Sequence, residues 1–131
     1  MKLLIAVGEV PKVETPPPAI AAIVGAATEI RVLSPSLVGP LHWLTGDIDK
    51  ARLVANDRLT EMLKRLEAAD APVSGIRGDE LAGTALAEAF GDFDADHVVL
   101  VAASGDTLWR RRRVLERLLD EYGVSVTIAL V

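Results

Sequence analysis

The stretch His97-Val98-Val99-Leu100-Val101-Ala102-Ala103-Ser104-Gly105-Asp106-Thr107 decides the fold. Six residues rich in β-branched and aliphatic side chains run straight into a small-residue turn, and helical periodicity begins directly afterwards. That is how a buried strand of an open α/β sheet hands over to its crossover helix. Strand carboxyl ends and helix N-termini converge at such turns, so ligands of these folds bind there. An anion cradle needs several glycines, so that backbone N–H groups reach the ligand without side chains between. This turn has one, Gly105, and Asp106 follows it.

The same alternation extends outward in both directions. Lys2 to Val7 is a compact aliphatic strand ending at Gly8. Pro11 and the run Pro16 to Pro18 delay the first helix, which reads from Ala19 to Ala27 behind a Thr15 cap. Glu29 to Leu33 is the second strand. Ser34 to Gly46, with Pro35, Gly39, Pro40 and Gly46, is a loop, and Asp47 caps a long helix from about Ile48 to Ala69. Ala51, Ala55, Leu59, Met62, Leu66 and Ala69 form its apolar stripe, while Arg58, Glu61, Lys64, Arg65 and Glu67 fall elsewhere. Pro72 to Arg77 is a third strand. Leu81, Ala85 and Ala89 mark a third helix ending near Gly91. Beyond His97 to Ala102, a last helix runs from about Thr107 to Tyr122, stops at Gly123, and yields to the strand Val124 to Val131.

Five strands separated by helices predict an α/β, three-layer doubly wound fold: a parallel five-stranded sheet with helices on both faces. At 131 residues the chain reads as one domain, 1–131. Half of it is hydrophobic and it contains no cysteine, which excludes disulfides, thiolate metal sites and thiol nucleophiles. A net charge of −5 argues against a phosphate-tracking surface, so no nucleic-acid partner is expected. Nothing approaches the roughly 18 apolar residues of a membrane helix, and Glu9, Pro11 and Lys12 interrupt the apolar start. A soluble, cytoplasmic protein is the expectation.

The segment Gly78, Asp79, helix, Asp94, Ala95, Asp96, strand His97 to Ala102, together with the closing strand, resembles the universal stress protein family. The resemblance spans essentially the whole chain in order and length. It implies the strand order 3-2-1-4-5, a homodimer formed through the last strand, Ser125 to Leu130, and, in one branch, adenine-nucleotide binding at the strand carboxyl ends. The ATP-binding branch carries an aspartate where this chain has Gly8, and a glycine-rich stretch after strand four followed by a Gly-Ser or Gly-Thr pair, where this chain passes through Leu108, Trp109 and Arg110 to Arg113. The expectation is therefore a non-enzymatic regulatory or interaction domain with no cofactor. The alternative is ATP held by altered backbone contacts at Gly8, Ser104, Gly105 and Thr107, with Arg111 and Arg112 beside them.

The arginine run has two readings. Its side chains either form a solvated face, with Asp106 nearby and spacings of four that offer Arg112 with Glu116 and Arg117 with Glu121, or they meet an anionic ligand or partner. The apolar loop Leu37 to Leu44, containing His42 and Trp43, either folds onto its own core or meets an unknown protein partner. Asp92, Asp94 and Asp96 imitate a calcium loop, but His97 and Ala103 stand where glycine and glutamate are needed. His97 lies at the far end of its strand from Ser104, which rules out a dyad, and two separated histidines supply no zinc set.

Overall fold

A computed structural model of the chain describes residues 1–8, 10–11, 18–35, 48–78, 88–89, 92–102 and 120–130. Five strands, β1 (Lys2–Val7), β2 (Glu29–Pro35), β3 (Val73–Gly78), β4 (His97–Ala102) and β5 (Ser125–Leu130), form one sheet in the order β3-β2-β1-β4-β5. All four pairings are parallel. Two helices are described, α1 (Pro18–Ala26) and α2 (Ile48–Arg65). This is the expected α/β architecture, with the expected strand order.

Side chains alternate across each strand, so the sheet builds a core on each face. On one face, Leu3, Ile5, Val7, Ile30, Val32, Val99 and Val101 meet Met62 of α2, with Ile20, Ile23 and Val24 of α1 and Leu59 and Leu63 of α2 packed against them. On the other, Leu4, Ala6, Leu33, Val98 and Leu100 meet Ala89, Phe93 and Ala95. Both faces of the central strands are thus covered. α1 contains no charged or hydrogen-bonding side chain and no fully buried one, because Ile20, Ile23 and Val24 alone turn toward the sheet.

The long helix ends at Arg65, four residues before the stripe suggests. Its last amides tighten: Leu66 N–H is shared between Met62 O and Leu63 O, and Glu67 N–H turns to Lys64 O. Such contraction settles orphan carbonyls where the chain must leave the helix to reach Pro72 and β3. Gly123 adopts φ 67°, and its N–H donates to Asp120 O at 3.1 Å, the left-handed exit for which glycine is suited.

The amino ends of β1 and β4 are locked reciprocally. Asp96 N–H donates to Lys2 O at 2.8 Å, and Lys2 N–H donates to the Asp96 carboxylate at 2.8 Å. Asp96 is thereby a strand clamp. His97 Nε2 lies 2.8 Å from Thr127 Oγ1, tying β4 to β5. No helix among the described residues is long and apolar enough to cross a membrane.

Candidate functional site

Strand order reverses between β1 and β4: the chain steps from β1 to β2 and β3 on one side, and from β4 to β5 on the other. The crevice at the carboxyl ends of these two strands is the binding position of doubly wound sheets. Its described floor consists of Val7, Gly8 and Val101. Gly8 is buried, and its N–H donates to Val101 O at 2.7 Å, extending the β1–β4 ladder past the end of β1.

The side chain standing over this floor is Arg58. Its Nη1 donates to Gly8 O at 3.1 Å and to Val7 O at 3.3 Å, and the side chain is partly buried. Strand-end carbonyls lack the next turn of the ladder, and a guanidinium meets two of them from one nitrogen. The helix is held above the rim by Ser34, which is fully buried and donates its hydroxyl to Ala55 O at 2.7 Å. Ser34 closes the gap between β2 and α2. Among the described residues no buried side-chain nitrogen or oxygen lacks a partner.

Of the residues named from the sequence for a ligand rim, Gly8 is placed at the crevice. Ser104, Gly105, Thr107, Arg111 and Arg112 lie outside the described residues, as does the loop Leu37 to Leu44. The residue that sequence reasoning passed over is Arg58, grouped there with the solvated charges of α2. Counted around the helix, Arg58 leaves the core stripe on the side opposite Lys64. That flank faces β1, whereas the Lys64 flank faces the sheet edge.

Chemically, this part of the rim presents a cation and no unengaged backbone N–H. Replacing Arg58 by methionine keeps the stem's apolar cover and leaves both carbonyls without their donor. The expected loss is about 1–3 kcal/mol of folding stability, read from urea unfolding, with faster hydrogen exchange at the Gly8 amide. Unchanged exchange there would mean that Arg58 does not hold the end of β1.

A groove of about 580 Å³ opens elsewhere, between the second half of α2 and β3, lined by Thr60, Leu63, Lys64, Leu66, Glu67, Ala69, Ala71 and Val73. Among the described residues no group of histidines, cysteines or carboxylates is arranged to hold a metal.

Fold and rim together define an all-parallel, doubly wound α/β domain with an arginine-capped crevice. A scan against family models gives no match, and a search of curated proteins gives no significant one.

Proposed function

We propose that this chain is a non-enzymatic regulatory or interaction domain of the universal stress protein type, self-associating through β5, whose strand-carboxyl rim is not an ordinary ATP site. The observation that carries the reading is the state of Gly8. A phosphate cradle works by pointing unengaged N–H groups at the anion, and the Gly8 N–H is already bonded to Val101 O, with Arg58 covering its carbonyl. A ligand at β1 would have to break the end of the sheet to use that backbone.

Self-association follows from the chemistry of the opposite region. Ser125 N–H donates to Asp96 O, so Ser125, Thr127 and Ala129 direct their backbone groups to β4, and those of Val126 and Ile128 point outward. β5 reads SVTIAL, with no charge and no proline to guard an edge. Antiparallel pairing with a second β5 satisfies those groups and further covers the partly buried Val126 and Ile128.

Arg58 favours one second reading, an adenine nucleotide whose phosphates use that cation together with Arg111 and Arg112. Titration calorimetry with Mg-ATP separates the two. The proposed function expects no saturable heat up to millimolar nucleotide and self-association, to a dimer or beyond, in sedimentation equilibrium. Micromolar ATP binding would replace it with the second reading.

A further inference from the structure

We propose that the edge formed by β3 and the outer flank of α2 is a self-complementary interface, at which two copies of this chain pair β3 with β3 and α2 with α2 about a two-fold axis. It lies at the opposite edge of the sheet from β5 and is independent of that contact.

The backbone is the first element of the interface. Ile30 N–H donates to Pro72 O, so Ser74 and Ile76 face β2, and Val73, Gly75 and Arg77 direct their N–H and C=O groups away from the sheet. Among the described residues nothing bonds to those outward groups, and Ser74, Gly75 and Arg77 are exposed. An axis through Gly75 sets Gly75 against its equivalent and Val73 against Arg77 of the second copy, twice.

Helix spacing is the second. α2 rides over the gap between β2 and β3: Ser34 of β2 bonds Ala55, and the Leu59 and Leu63 side chains lie so close over Gly75 that a Cβ there would meet them at 2.7 and 2.9 Å. Continuing the sheet across the axis at the usual strand spacing places the two α2 axes two spacings apart, about 9.5 Å. Packed helices sit about 8–10 Å apart. The helices therefore meet without adjustment of the sheet.

The side chains then match. Thr60, Lys64 and Glu67 line the groove, and the row they form continues toward the start of α2 through Asp57 and Leu53 at spacings of three and four. Because Leu59 and Leu63 bracket Gly75, the axis passes beside α2 at the level between them. Leu53, 62% exposed, comes level with Ala69 of the second copy, so the exposed leucine of each copy enters the apolar end of the other's groove, at Leu66, Ala69, Ala71 and Val73. Asp57 comes level with Lys64 of the second copy, again twice. Both side chains are exposed, and among the described residues neither forms an ion pair or hydrogen bond within the chain. Knob and hole, and acid and base, stand at reciprocal distances from one axis, as an isologous contact requires.

The absence of native cysteine makes the test clean. Thr60→Cys puts a single thiol beside the proposed axis, Ile128→Cys, at the middle of β5, reports on that edge, and Glu88→Cys, exposed and on neither edge, gives the background of chance collisions. Under mild oxidation of the full chain at micromolar concentration, the Thr60→Cys variant is expected to form disulfide-linked dimer at least tenfold faster than the Glu88→Cys variant. Adding Leu53→Glu is expected to return it to background. With Thr60→Cys in place, Asp57→Lys and Lys64→Asp should each slow cross-linking alone, and an equimolar mixture of those two variants should recover it, because the mixed pair carries both acid–base contacts. Cross-linking of Thr60→Cys at the background rate overturns the interface. So does cross-linking that survives Leu53→Glu. Cross-linking confined to Ile128→Cys overturns it while leaving the β5 contact standing.

Discussion

Replacing Phe93 with alanine is expected to destabilise the folded chain by about 3–5 kcal/mol, the range for truncating a buried aromatic side chain. Phe93 is 2% exposed and packs among Leu4, Leu33, Val98 and Leu100, the layer on the face away from α1 and α2. Its backbone N–H donates to Ala89 O at 2.9 Å, so the residue also fixes where the chain leaves the helical turn and enters β4. Two cations lie against the ring, Arg31 with its guanidinium carbon 4.8 Å from the centroid and Lys2 with its ammonium 5.3 Å away. Leucine in place of Phe93 retains most of the apolar cover and removes the aromatic face. Its extra cost over the packing loss is expected to be about 0.5–2 kcal/mol from the two cation–π contacts together. Urea unfolding of Phe93→Leu, Arg31→Met, Lys2→Met and the two double variants that pair Phe93→Leu with each cation substitution isolates the two shares as coupling energies. A midpoint unchanged in Phe93→Ala would remove the ring from the core, and zero coupling would reduce the cations to bystanders.

The fold was legible in the sequence because its signals are local and repeated. Runs such as Lys2 to Val7 and His97 to Ala102 are too apolar for a one-sided sheet, and their boundaries coincide with those of β1 and β4. Gly123 announced its own left-handed exit. The site residues were less legible for a physical reason. Arg58, Ser34 and Phe93 act through partners 21 to 91 positions away, and helical periodicity separates a core stripe from everything else without saying which flank meets which neighbour. Arg58 and Lys64 look equivalent in the chain. Only the direction in which β2 leads to β3 sends one over the crevice and the other to the edge. Gly8, conversely, was legible as a rim residue, but its hydrogen bond to Val101 depends on the register of β1 against β4, which nothing local specifies.

Leu4→Ala is expected to cost about 2–5 kcal/mol and Ile5→Val about 0.5–1.5 kcal/mol, and the double variant is expected to cost their sum to within about 0.5 kcal/mol. Leu4 is fully buried and Ile5 is 3% exposed, and although they are chain neighbours they project into different layers. Leu4 packs with Phe93 and Leu100, and Ile5 with Val32, Met62 and Val99, so the two side chains share no packed neighbour among these residues. The sheet itself separates the two cavities that the variants create. In a fold with a single core, adjacent truncations would drain into one void, and collapse around it would make the second loss cheaper or dearer than the first. Additivity measured by urea titration, with an unchanged dependence on denaturant concentration, is therefore the solution signature of a sheet packed on both faces. A coupling above about 1 kcal/mol would mean that the two layers relax into one another, and β1 would not be the wall that its register with β2 and β4 makes it.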